Sequence, residues 1–413
     1  MGFQTGLSGL NAASQSLDVI GNNIANAATV GFKESRTLFS DVFANSLGGS
    51  GSNSVGIGVK VAAIEQQFTQ GAVTASNNPL DIAVNGKGFF RLDDNGTVSY
   101  SRNGQFHLDN AGYIVTNEGF KVTGYSIDAA GNIVPTSPVP IQLSSNQLAP
   151  TSTTNFRASL NLDSRESVPT TAVFNATDPT SYSDSTSGTV YDSLGNTHVF
   201  TQYFVKTAVA GDWDMHATVD GTAAANVDLG AGAGNPITVS FDTSGALTTA
   251  MPIAGVALTV AGGAVSPLTL ALDFSGTTQF GANFGVNSLF QDGFASGRLA
   301  GFNMGGDGIM VGRYTNGQSR NLGQIVLASF ANPQGLKPLG NNRWDETSGS
   351  GIPVVGAPSS GDLGAVQSAA TESSNVDLTA ELVNMITAQR VYQANAQSIK
   401  TQDSILQTLV NLR

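Results

Sequence analysis

LSGLNAASQSLDVIGNNIANAATVGFK, residues 7–33, decides how the chain is built. Leu10, Ala13, Leu17, Ile20, Ile24 and Ala27 recur every three or four residues, which is the spacing of one face of an α-helix. At the other end Leu382, Met385, Gln389, Tyr392, Ala396, Ile399, Asp403, Leu406 and Val410 repeat in the same way, as a coiled-coil-like seam. The roughly 300 residues between them read as short strands separated by glycine turns. The expected fold is therefore mainly β and multidomain, with terminal α-helices whose partners are each other and copies of the same chain.

The first helix carries little charge, since Asp18 is the sole ionisable side chain from residue 1 to 29. A surface helix normally has a charged face, whereas Ser8, Asn11, Ser14, Gln15, Ser16, Asn22 and Asn23 suit packing on several sides. Burying Leu7, Leu10, Leu17, Ile20 and Ile24 gives about 1.5–3 kcal/mol each. Ordering some 25 backbone residues costs about 1–2 kcal/mol each, so the helix is expected to be ordered in an assembly; one intramolecular helical hairpin is the alternative. A carboxylate packed among helices needs a partner, and the C-terminal helix offers Arg390 and Lys400 before Arg413. With the helices antiparallel and their ends aligned, Asp18 lies opposite Ala396, and it is expected to contact Lys400 or Arg390 of its own chain or a neighbour's. The candidate self-assembly residues are thus Leu7, Leu10, Leu17, Asp18, Ile20, Ile24, Leu382, Met385, Gln389, Arg390, Tyr392, Ile399, Lys400, Leu406 and Val410.

Composition excludes several classes. The 413 residues carry a net charge of −12, and 12% of them are charged, about half the usual share. No basic stripe exists for nucleic acid. Without cysteine there is no disulfide framework or thiolate chemistry, and His107, His198 and His216 stand apart in strand-like stretches, as structural histidines. No phosphate loop, zinc helix or nucleophile elbow is present, and the carboxylate pairs Asp93–Asp94 and Asp345–Glu346 lie beside turns or in linkers. The expectation is a non-enzyme with no cofactor or metal; a secreted β-rich enzyme or adhesin is the distant alternative. The N-terminus lacks a cleaved secretory signal pattern. The uncharged run 251–272 contains Pro252 and Pro267 and reads as strands, not as a membrane span.

The chain divides into a helix core (1–30 with 375–413), a connector (31–70 with 361–374), a discontinuous β domain (71–147 with 290–360) and an inserted outer β domain (148–289). The first helix is expected to stop near Thr29–Gly31 with Gly31 as its left-handed cap, and a capping-box-like Ser374-Asn375-Val376-Asp377 opens the second. The runs 48–58 and 351–364 read as flexible linkers. Asn95-Gly96, Asn103-Gly104, residues 109–112 and Asn316-Gly317 stand at hairpin positions. The insertion holds 11 acidic residues against 3 basic ones and is expected to face solvent.

Ser8-Gly9-Leu10-Asn11-Ala12-Ala13, Leu17-Asp18-Val19-Ile20-Gly21-Asn22-Asn23-Ile24-Ala25-Asn26 and Thr29-Val30-Gly31-Phe32-Lys33 closely resemble the N-terminal signature of the bacterial flagellar rod and hook axial proteins. Asn375-Val376-Asp377-Leu378, Glu381-Leu382-Val383-Asn384-Met385-Ile386 and Gln389-Arg390-x-Tyr392-Gln393-x-Asn395 resemble their C-terminal signature. Asn85-Gly86-Lys87-Gly88-Phe89-Phe90 and Tyr100-Ser101-Arg102-Asn103-Gly104-Gln105-Phe106 extend the likeness to about 60% of the chain. The large insertion looks like that of hook-type members; a distal rod or hook-associated axial protein is the alternative. The resemblance implies an extracellular, curved tubular homopolymer that joins rod to filament as a flexible, torque-carrying joint. Its implied partners are further copies of the chain, rod and hook-filament junction proteins, a hook cap and the flagellar type III export apparatus.

Overall fold

The computed structural model describes residues 2–42, 56–128, 130–143 and 147–411. It is mainly β, with two long helices, α1 (Gly2–Ala25) and α2 (Leu378–Asn411), and it divides into two compact units. One comprises Met1–Ser145, Gly301–Arg313 and Ser319–Arg413; the other comprises Asn146–Ala300 and Tyr314–Gln318.

The second unit is a two-layer β-sandwich. One sheet has the strand order Val227–Asp228, Ile253–Leu258, Leu268–Asp273, Asn155–Asn161, Gly285–Gln291, and the other the order Asp184–Tyr191, Thr197–Lys206, Asp212–Val219, Ile237–Ser240. Alternation builds it. Phe156, Ala158 and Leu160 point inward from one sheet, and Trp213, Met215, Ala217 and Val219 from the other, forming a single buried core. The uncharged run 251–272 supplies two of these strands, and among the described residues no helix is long and apolar enough to cross a membrane. His198 is held between Asp220 (Nδ1 to Oδ2, 2.7 Å) and Asp192 (Nε2 to Oδ2, 3.3 Å), and His216 stacks on Phe174 at 4.1 Å. Both are thus used in packing.

The first unit carries a large antiparallel sheet over a core that includes Ile82, Val84, Leu92, Ile114, Val122 and Leu327. Beside it Phe89, Tyr100, Phe330 and Trp344 form an edge-to-face aromatic cluster, with ring centroids 4.8–5.8 Å apart. Strands Phe89–Asp94 and Thr97–Ser101 are joined by Asn95 and Gly96 in left-handed conformations, as a two-residue hairpin requires. Asn103-Gly104 is not a hairpin turn. A Cβ on Gly104 would stand 1.7 Å from the Ile82 carbonyl oxygen, so this glycine permits close approach of two backbones.

Residues 31–70 contain a hairpin of their own, β1 (Ser35–Val42) against β2 (Gly58–Gln66), which packs on α1. The expected linker at 48–58 falls largely outside the described residues. Its counterpart at 351–364 is part of the sheet: Val354–Gly356 pairs with Leu327–Ser329, and Pro358 and Leu363 are buried.

Candidate self-assembly surface

Helix α1 ends at Ala25, six positions before Gly31. Gly31 is left-handed (φ 71°) for a different reason: a Cβ there would lie 2.6 Å from the Asn103 amide nitrogen. The chain must pass that close because the next residues are anchored in the interior. Lys33 Nζ lies 2.6 Å from Glu372 Oε1 and donates to the Thr69 carbonyl at 2.7 Å, while Arg102 Nη1 is 3.2 Å from Glu372 Oε2. The side chains of Lys33 and Glu372 are fully covered and that of Arg102 nearly so. Burial pushes the Lys33 ammonium below its ordinary range, opposed by the Glu372 carboxylate, and does the same to Arg102. Asn375 adds a second tie, accepting from the Glu34 amide at 2.7 Å and donating to the Gln67 carbonyl at 2.8 Å. The stretches that join the helices to the sheet are therefore fastened to it, contrary to the flexible connection expected from composition.

Helix α2 is capped by Asp377, whose Oδ1 accepts from the amides of Thr379 (2.8 Å) and Ala380 (3.2 Å); Ser374 is not the cap. Its first turn buries Glu381, which receives Asn23 Nδ2 at 3.2 Å and Asn384 Nδ2 at 3.1 Å. Asn23, 1% exposed, also exchanges two hydrogen bonds with the Ser35 backbone, at 2.8 and 3.0 Å. The helices run antiparallel, and their seam is made of small residues. A Cβ on Gly9 would come 2.7 Å from Asn395 Oδ1, and one on Gly6 3.0 Å from Ile399 Cγ1.

This register differs from the one read off aligned ends. Asn23 opposite Glu381 and Gly6 opposite Ile399 put Asp18 near Ile386, because α2 continues three turns beyond Ile399 to Asn411. Asp18 is exposed on the side toward β1 and β2, near Ser35 and Ile64. Within the chain it forms no ion pair with any described Lys or Arg, so the expected contact with Lys400 or Arg390 of its own chain is not made. Arg390 and Lys400 are exposed.

The seam is also rotated. Ile20 is buried, but Leu10 and Ile24 each follow by one position the seam residues Gly9 and Asn23, about 100° around the helix, and like Leu17 are only half-buried. Leu7 is 44% exposed, with Phe3 beside it. On α2, Met385 and Ile399 are half-buried and Gln389 is exposed. Leu382, Val383, Ile386, Val391, Ile405 and Leu406 are each 47–58% exposed, and Tyr392 is 36% exposed. The Val410 side chain lies outside the described residues. Between α1, α2 and β1 runs a groove of about 810 Å³. Its inner end holds Glu34 and Glu381; burial and the neighbouring Glu381 charge push the Glu34 carboxyl up, and Arg36 works the other way. Among the described residues no cluster of three or more potential ligands could hold a metal.

Sequence reasoning missed Glu372, Arg102, Asn23 and Glu381. The one available signal was scarcity: in a chain so poor in charge, an isolated Glu, Lys or Arg beside a terminal helix stands out.

Four stretches match known families. Residues 3–33 match the Flagella basal body rod protein family, 83–156 the Flagellar hook protein FlgE/F/G D1 domain, 161–294 the Flagellar basal body protein FlaE D2 domain, and 367–412 the Flagellar basal body rod FlgEFG protein C-terminal family. The chain is 43% identical to the flagellar hook protein FlgE of Escherichia coli, covering all of both chains. It is 35% identical to that of Rhizobium meliloti, covering 100% of this chain and 98% of the relative. The crystal structure of Helicobacter pylori flagellar hook protein FlgE2 shares the fold at 16% identity, with a TM-score of 0.50 over 71% of this chain and 99% of the other. A mainly β body, a paired set of terminal helices with unfinished apolar faces, and full-length identity of this degree lead to one conclusion: the chain belongs to the flagellar hook protein family, as a structural subunit of the bacterial flagellar hook.

Proposed function

We propose that the exposed faces of α1 and α2 are the axial contacts of the hook polymer, with helices of successive subunits packed into a core that the β units surround. The observation that carries this is the set Leu382, Val383, Ile386, Val391, Ile405 and Leu406, spread along and around α2, which α1 leaves about half exposed. Completing the burial of such a side chain releases a large part of the roughly 1.5–3 kcal/mol that full burial provides, and six on one helix exceed what a soluble monomer ordinarily leaves open. Rod and hook-filament junction proteins and a hook cap are proposed to meet the same helices at the two ends of the polymer. The chain is proposed to reach the cell exterior through the flagellar type III export apparatus without a cleaved signal peptide.

Bending is proposed to come from small changes in the contacts between β units while the helix contacts persist. The buried Lys33–Glu372–Arg102 cluster supports this reading, because it lets a load on the helices pass directly into the sheet. The test is assembly of a chain lacking residues 378–413, followed by sedimentation and electron microscopy, with circular dichroism to verify the β body. A folded β body and no tubes is the expected result; normal tubes would overturn the reading. A chain with 146–300 replaced by a short linker is expected still to polymerise, into straighter tubes.

A further inference from the structure

A tube that grows by adding identical subunits needs a heterologous contact, in which one patch of the subunit meets a different patch of the next. The helical pair presents two such patches. The first is a projection: past its crossing with Gly6 at Ile399, α2 runs beside the first turn of α1 to about Asp403 and then continues eight residues further to Asn411, and Ile405 and Leu406 there are 55% and 54% exposed. The second is the groove between α1, α2 and β1, which extends from Gly9 and Asn395 to Asn23 and Glu381. Fourteen helical rises from Gly9 to Asn23 make it about 21 Å long, and the projecting eight residues of α2 reach about 12 Å into it at 1.5 Å per residue.

Charge fits the same pairing. The inner end of the groove has two carboxylates, Glu34 and Glu381, against one cation, Arg36. Lys400, one turn before the projection, is exposed and has no ion-pair partner among the described residues. When two copies are related by translation along the helix axis, the end of α2 enters the next groove from its inner end. Leu406 then lies in the inner half of the groove, and Lys400, six residues behind, stands by Glu34 and Glu381.

Resting on the assembly reading above, we propose that the projecting end of α2 in one hook subunit lies in the α1–α2–β1 groove of the next, with Ile405 and Leu406 on its apolar floor and Lys400 beside Glu34 and Glu381. The absence of native cysteine makes disulfide trapping direct. Full-length Leu406→Cys is copolymerised with each of Val19→Cys, Thr387→Cys and Val391→Cys in turn, then oxidised and resolved on a non-reducing gel. A heterodimer band in at least one mixture, absent from either variant alone, is expected, since a disulfide needs Cα atoms within about 7 Å. A charge swap gives a second readout. Lys400→Glu is expected to slow tube growth at least tenfold, and adding Glu34→Lys in the same chain to restore most of it. Tubes that yield no heterodimer at any of the three positions would overturn this contact while leaving helix-driven assembly standing. Parent chains that form no tube would overturn both.

Discussion

In the sandwich, Phe156, Trp213, Met215 and Leu272 are fully covered by the chain's own two sheets, whereas along α2 Leu382, Val383 and Ile386 keep about half of their surface. Both regions use a regular apolar period. The difference lies in the number of layers the chain itself supplies. Two facing sheets close a core, but α1 covers only part of the surface of a 34-residue helix. The difference teaches that one chain can close an apolar surface completely where it supplies both layers and leave another of equal regularity open where it supplies only one.

The sharpest way to break this comparison is to injure each region in turn. Trp213→Ala should cost about 3–5 kcal/mol and unfold the sandwich in a separate, earlier thermal transition, followed by near-ultraviolet circular dichroism. The double variant Leu382→Ser, Leu406→Ser should abolish tubes while moving monomer stability by no more than about 0.5 kcal/mol per site, read by chemical denaturation. If the helix variant destabilised the monomer as much as the core variant does, these leucines would belong to the fold rather than to the interface.

Glu372→Gln tests the junction between the two kinds of burial. It leaves Lys33 and Arg102 without a countercharge and should cost about 3–5 kcal/mol. Limited proteolysis should then cut near residues 31–34 and 373–377 while the sandwich stays resistant. A milder test concerns Asp184, where burial, with help from Glu166 and Asp163, pushes the carboxyl up to about 6, and whose Oδ2 is buried without a hydrogen-bond partner. Because the folded value exceeds the unfolded one near 3.8, the folded state binds more protons between them. Stability from this group is full below about pH 4 and lost as pH rises through about 6. Asp184→Asn should remove that slope and stabilise the sandwich at pH 7 by on the order of 1 kcal/mol, measured as thermal midpoints from pH 4 to 8.

Sequence periodicity revealed both helices, the strands within residues 251–272 and the Asn95-Gly96 hairpin, since each rests on local spacing. The seam between the two helices was read one position off, because a search for large apolar residues picks Leu10 and Ile24, while close packing selects Gly9 and Asn23. The position of Asp18 depended on how two distant segments slide past each other, which no local pattern encodes. Residues 351–364 looked like a linker because glycine, proline and serine also build tight passages between paired strands, as Pro358 and Leu363 show. Glu372 and Arg102 were invisible for the opposite reason: a charged residue reads as surface, and only the fold brings its countercharge inside.

The ties that organise the helical pair join residues very far apart in the chain. Asn23 meets Glu381 across 358 positions, and Lys33 meets Glu372 across 339. Closing a loop of that length carries an entropic cost that local structure does not share, and such contacts form late. While the chain emerges from one end, the sandwich can mature as soon as its own strands are present, but the helical pair must wait for the opposite end to arrive. The proposed assembly surface is thus withheld in time, and on that reading an incomplete chain lacks the pair of helices with which to polymerise.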